Sequence, residues 1–266
     1  YARLVVLDGH KTRHYAPHYR RLFGGTIDDP EIDQDVGDYD AALRTIDAQL
    51  ARLVVTLRET RPNLLVVFAA DHGEGLRLPE SHGPEHGNFV YRSTTETPLI
   101  YQHPALPKPG RRVGGLGMNV DVKPTVLDLL GLEPTAPVDG VSQAAAVLGE
   151  VDRAAHAYAF TETFFRKVHR SMVFDGEHQL IRKYVNDNKD ARHLDQLFAA
   201  SDRAAEQPLE RTESRKADAL AAVLDTWEAQ MDQWERDAPA RERGTVDAST
   251  RTMLQDLGYL DASDDE

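Results

Sequence analysis

The 266-residue chain carries 44 Asp and Glu against 31 Lys and Arg, a formal charge of −13, with 41% hydrophobic residues and no cysteine. A chain of that size and balance can bury a sizeable core, but it has no disulfide framework, thiolate metal site or cysteine nucleophile. No apolar run reaches the roughly 18 residues of a membrane-spanning helix, and no basic cluster exceeds Arg20-Arg21 or Arg111-Arg112, which argues against a nucleic-acid partner.

Leu4 to Leu7 is a short apolar run that breaks into Asp8-Gly9-His10, the pattern of a buried strand ending in a loop. From Asp38 the period becomes helical. Tyr39, Ala42, Leu43, Ile46, Leu50, Leu53, Val54 and Leu57 recur at three- and four-residue steps, and Pro62 ends the helix. Leu64 to Phe68 is a continuous apolar strand, expected to be buried on both faces of a parallel sheet. Strand, helix and strand in this order predict a βαβ crossover and an α/β fold.

A polar, glycine-rich loop follows from Asp71 to Gly87, then Phe89 to Tyr91 and a strand at Pro98 to Tyr101. Asp121 is placed to N-cap a helix through Leu130, with Pro124 in its first turn and Gly131 at its end. Past Ser142 the chain changes character. Ser171 to Phe174 and Gln179 to Tyr184 flank Asp175-Gly176, a hairpin signal. Leu220, Val223, Leu224, Trp227, Met231 and Trp234 then make the apolar stripe of a long charged helix, expected to pack both tryptophans. The expected division is 1–150 for an α/β catalytic part and 151–266 for a smaller C-terminal α+β subdomain.

Asp71-His72-Gly73-Glu74 directly follows a strand, and open α/β sheets place ligand sites at the carboxyl ends of strands. A carboxylate beside an imidazole there can ligate a divalent ion, its mixed oxygen and nitrogen donors suiting Mn²⁺, Zn²⁺ or Ca²⁺. The alternative is local: Asp71 caps a turn and His72 only bonds the loop. Two further His-Gly pairs, His82-Gly83 and His86-Gly87, share this loop, and glycine after histidine lets backbone approach a ligand closely.

Asp71-His72-Gly73-Glu74, His86-Gly87-Asn88-Phe89-Val90-Tyr91 and Thr97-Pro98-Leu99-Ile100 together resemble the sulfatase branch of the alkaline phosphatase superfamily. Further pieces fall in the family's order. They are Tyr39 and Asp47 on the preceding helix, Val120 to Leu132 as the Asp-x-x-Pro-Thr helix, Asp139-Gly140-Val141-Ser142, Leu197-Phe198 with Asp202 and Glu206, and Leu257 to Leu260.

The resemblance implies a partial alkaline-phosphatase-like sandwich with a mostly parallel central sheet, and a hydrolase of sulfate esters. It implies that Asp71 and His72 are metal ligands. His86 is implied to hold a substrate oxygen or protonate the leaving group, and Glu74 to orient His72 or the loop. His10 is matched to a catalytic histidine, with His14 as its alternative, and His14 and His82 are candidates for substrate contact. One divalent ion is implied, Ca²⁺ ahead of Mn²⁺ or Zn²⁺.

The departures are specific. The Cys/Ser-x-Pro-x-Arg segment that yields the family's formylglycine nucleophile does not occur in the chain, nor does the first metal-binding Asp pair. Because the chain begins at Tyr1 rather than methionine, both are expected upstream, which leaves the compartment open between cytoplasm and export. Ala70 stands where Ser or Thr is common and Thr97 where Arg is common; the loop lysine is lacking, and His86 is the residue to take its role.

The sequence thus predicts part of a metal-dependent sulfatase, inactive alone, acting on a small-molecule or sugar sulfate. Two alternatives stay open. One is a phosphodiesterase, phosphonate hydrolase or phosphoglycerol transferase of the same superfamily; the other is a non-catalytic metal- or anion-binding module.

Overall fold

The structure is a computed structural model that describes residues 30–75, 86–106, 110–165, 168–184, 193–202, 205–238 and 247–256. The expected strand at Leu4 to Leu7 and the tail at Leu257 to Leu260 lie outside the described residues.

Helix α1 spans Pro30–Thr60. Its stripe buries Ile46 and half-buries Tyr39, Leu43, Leu50 and Val54, while Leu53 and Leu57, also placed on that stripe, are exposed. Strand β1 (Val66–Ala69) is half-buried along its length and pairs antiparallel with β2 (Leu99–Gln102), Ala69 opposite Leu99. Among the described residues both sheets are antiparallel, and the expected mostly parallel sheet is not confirmed. The chain leaves β1 at its carboxyl end, turns through the polar loop and the short helix α2 (Arg92–Thr95), and re-enters at that same end. A strand that returns from the same end must run antiparallel to the first.

A second sheet is a four-stranded antiparallel meander, β3 (Ala159–Phe165), β4 (Val168–Phe174), β5 (His178–Tyr184) and β6 (His193–Ala199), in that order. The predicted hairpin is its β4–β5 centre. Asp175 closes the turn by accepting the amides of Glu177 and His178, and Gly176 takes φ +96°. Burial opposes the Asp175 charge, but the Lys216 ammonium and those two amides outweigh it and hold the carboxyl below its ordinary pKa.

Neighbouring residues of a strand point to opposite faces, and both faces of this sheet are covered. Val173, Leu180 and Leu197 meet Leu220 and Leu224 of the long helix α5 (Ser214–Asp237). Their sequence neighbours Met172, Ile181 and Phe198 meet Val90 and Tyr91 from the loop before α2. Leu180, Leu197 and Leu224 are fully buried, each contributing about 1.5–3 kcal/mol of apolar burial. Trp227 stacks on Phe160 at 5.1 Å, whereas Trp234, expected to pack as well, is 53% exposed.

Helix α3 (Val122–Leu129) follows a 3₁₀ turn at Asn119–Asp121, with Gly131 at φ +66° past its end. Asp121 is not its side-chain cap. The residue is itself helical and its carboxylate, fully buried, turns away to accept the amides of Met118 and Val141 and the side chains of Gln143 and His156. Tertiary donors outcompete the local capping geometry. Gly140 explains part of the Asp-Gly-x-Ser segment: a Cβ there would sit 2.1 Å from the Val120 carbonyl. Ser142 donates to Asp128 at 2.6 Å, and the short helix α4 (Ala144–Leu148) follows. The chain's last described helix is α6 (Ala248–Asp256). No helix among the described residues is long and apolar enough to cross a membrane.

Candidate functional site

The carboxyl end of β1 delivers Asp71 and His72 to one wall of a cleft. Gly73 lets this happen. Its amide donates to the Thr94 carbonyl at 2.8 Å, and a Cβ on it would lie 2.2 Å from the Ser93 carbonyl oxygen. A side chain at that position would push the loop off α2 and move the residues before it.

Asp71 Oδ1 accepts the His72 amide at 3.0 Å. His72 Nδ1 lies 2.8 Å from the Gly73 carbonyl; a carbonyl only accepts, so Nδ1 carries a proton and Nε2 is the nitrogen available to a metal. That Nε2 is 3.9 Å from Asp71 Oδ2. One carboxylate oxygen and one imidazole nitrogen thus lie close enough to share a divalent ion, and the donor set fits Ca²⁺, Mn²⁺ or Zn²⁺. Among the described residues no cluster of three or more His, Asp or Glu donors joins them.

His86 stacks on His72, ring centroids 4.2 Å apart and planes 20° apart. Its Nδ1 is 3.1 Å from Glu74 Oε2, while Glu74 Oε1 accepts the Gly75 amide at 3.1 Å. Glu74 was expected to orient His72 or the loop; it engages the loop amide and, on the other oxygen, His86. Tyr39 on α1 stands near the same carboxylate, and burial followed by the charges of Glu74 and Asp40 raises its phenol pKa. Asp47 is exposed on α1.

The sheet seats the His86 loop from the other side. Thr163 donates to the Gly87 carbonyl and Arg170 to the Asn88 carbonyl, and the Arg170 guanidinium lies 4.4 Å over the Phe89 ring. A cleft of ≈ 990 Å³ opens here, lined by Asp71, His72 and His86 together with Asn119, His156 and Glu162. The structure therefore brings together four of the expected site residues, Asp71, His72, Glu74 and His86. His10, His14 and His82 lie outside the described residues.

Three residues of the cleft wall carry no sequence signal. His156 sits alone between alanines, yet its Nε2 is 2.8 Å from the buried Asp121. Glu162 pairs with the buried His169 at 2.7 Å. Asn119 reaches back to the strand end that bears Asp71.

Comparison with known proteins bears on both the fold and these residues. Residues 2–132, which include the whole β1 strand end and the His86 loop, match the family model described as Sulfatase. The N-acetylglucosamine-6-O-sulfatase of Bacteroides thetaiotaomicron is 31% identical over 128 residues, covering 47% of this chain and 22% of that protein. Among solved structures, a protein in complex with its substrate D-glucosamine-2-N,6-O-disulfate superposes with a TM-score of 0.61 at 21% identity, over 77% of this chain and 42% of the other. The phosphonate monoester hydrolase of Silicibacter pomeroyi gives 0.56 at 24% identity, over 74% and 40%. Likeness at that identity establishes the shared fold, and the chain spans well under half the length of each of these three proteins. The matched region runs through the Asp71–Glu74 strand end and His86, so residues 2–132, about half of the chain, are similar to the sulfatase family.

Proposed function

We propose that this chain supplies the metal-binding and leaving-group wall of a sulfate ester hydrolase. The observation that carries the reading is the adjacency of two units on one cleft wall: the Asp71–His72 donor pair, and His86 stacked on it and held by Glu74. Asp71 and His72 would hold the ion, which when bound supplies positive charge to the equatorial oxygens of the ester. Two donors are fewer than the four to eight ligands such ions take, so the pair is one part of a larger ligand set.

The remaining work falls to this chain's own groups. Asp71 brings the negative charge of the donor pair, and Gly73 fixes the loop against α2 so that both donors face the cleft together. Glu74 accepts the Nδ1 proton of His86, which orients the ring, and Nε2 is the nitrogen that would exchange a proton with the departing oxygen. Stacking on His72 limits rotation of the ring. The 266 residues contain no cysteine and no Ser-x-Pro-x-Arg segment, so a formylglycine nucleophile is not theirs, and on this reading the chain alone does not turn over. The N-acetylglucosamine-6-O-sulfatase relative favours a sugar sulfate as the substrate class.

A substrate panel tests this in the full-length protein supplied with Ca²⁺ or Mn²⁺. Expected is release of sulfate from 6-sulfated N-acetylglucosamine and from an aryl sulfate, and no turnover by the isolated 266-residue chain. Hydrolysis of a phosphonate monoester without sulfate release would move the assignment to the phosphoryl-transfer branch. Metal binding with no hydrolysis of either ester would leave a binding module.

A further inference from the structure

We infer that Asn119 is the positioning residue for Asp71, clamping the two peptide units on either side of it. The inference rests on reading Asp71 and His72 as the metal pair. The Asn119 Nδ2 group donates to the Ala70 carbonyl at 3.0 Å and to the Asp71 carbonyl at 3.1 Å. Carbonyls only accept, so the amide nitrogen must face them, and its oxygen faces the Thr97 hydroxyl at 3.4 Å.

These two carbonyls bracket the Asp71 Cα. Holding both peptide planes fixes the two backbone torsions of Asp71, and with them the direction of its Cα–Cβ bond. With Oδ1 also accepting the His72 amide at 3.0 Å, the carboxylate is oriented before any ion arrives. A donor aimed in advance loses less freedom on ligation, the general reason outer partners govern metal affinity.

Asn119 can do this only if it is itself held, and the 3₁₀ turn that carries it is tied down at several points. The Asp121 amide donates to the Met118 carbonyl at 2.9 Å, and the Met118 amide returns a bond to Asp121 Oδ2 at 2.8 Å. The Asp121 carboxylate, 0% exposed, is gripped further by Val141, Gln143 and His156. Gly140 lies so close to the turn that a Cβ on it would be 2.1 Å from the Val120 carbonyl oxygen. The path runs from a buried anchor, through a closed turn, to one amide and the backbone of one metal donor. Asn119 acts through the backbone of Asp71.

The test is Mn²⁺ titration of the full-length protein, read from the electron paramagnetic resonance of the free ion, with the melting temperature of the metal-free protein beside it. Asn119→Leu, which keeps the shape and removes the donors, is expected to weaken Mn²⁺ binding about 10–100-fold with the metal-free melting temperature unchanged. Asn119→Ser, too short to span both carbonyls, gives the same loss and decides the matter if the leucine variant misfolds. Asp71→Ala is the reference. If it loses Mn²⁺ while both Asn119 variants bind like wild type, the positioning role is overturned and the metal pair stands. If Asp71→Ala binds Mn²⁺ like wild type, the metal pair itself is overturned, and this inference with it.

Discussion

Arg182→Leu is expected to destabilise the packing of α5 on the four-stranded sheet by about 3–5 kcal/mol, the usual cost of deleting one member of a buried ion pair. Arg182 is 3% exposed and ligated on three sides. Its Nε and Nη2 fork onto Asp195 at 2.9 and 2.8 Å, and Nη1 reaches Glu228 at 2.9 Å and Asp225. Burial opposes the guanidinium charge, yet the bonds to Asp195 and Asp225 and the charge of Glu228 outweigh it and raise its pKa above the ordinary arginine value.

The loss comes from what remains. Glu228 continues the buried stripe of α5 at four-residue spacing after Leu220 and Leu224, so without the arginine a buried carboxylate loses its cationic partner. Ser171 and Tyr184 still donate to it, which keeps the cost at the lower end if they suffice. Asp225, largely exposed, contributes little. Urea unfolding followed by the fluorescence of Trp227, which stacks on Phe160 at this interface, measures the change. A midpoint equal to wild type would show the cluster to be dispensable.

His86→Ala is expected to lower kcat about 10²–10⁴-fold on a sugar sulfate, the range for removing a positioned general acid. The size should depend on the leaving group. A sugar alkoxide needs a proton as the ester bond breaks, whereas a nitrophenolate departs without one, so the loss on an activated aryl sulfate is expected to be far smaller. Glu74→Ala removes the oxygen that holds His86 Nδ1 at 3.1 Å and should reproduce the same leaving-group pattern at smaller amplitude. Equal losses on both substrates would make His86 a binding group rather than an acid.

Much of this molecule is legible in its sequence where one local rule decides the outcome. The apolar run at Leu64 to Phe68, the turn chemistry of Asp175-Gly176 and the four-residue stripe through Leu220 and Leu224 each name an element that the structure contains. Asp71-His72-Gly73-Glu74 announces a strand-end site because its residue types and position agree. The rest depends on contacts far apart along the chain. Asp121 looks like a helix cap because its neighbours suit one, but its partners come from as far away as His156. Asn119 meets Ala70 and Asp71 across almost fifty residues, and no periodicity encodes that contact. Strand direction is hidden for a related reason: continuous apolar residues report burial, while the antiparallel β1–β2 pairing is set by which end of β1 the chain re-enters.

The central claim is that Asp71 and His72 hold a divalent ion on which hydrolysis depends. Metal reconstitution in the full-length protein tests it most directly, with sulfate release followed before and after chelation and on return of Ca²⁺ or Mn²⁺. Chelation is predicted to abolish turnover by the wild type and the returned ion to restore it, while Asp71→Ala stays inactive at the same ion concentration. Turnover that survives chelation, or an Asp71→Ala variant restored as fully as wild type, would contradict the account.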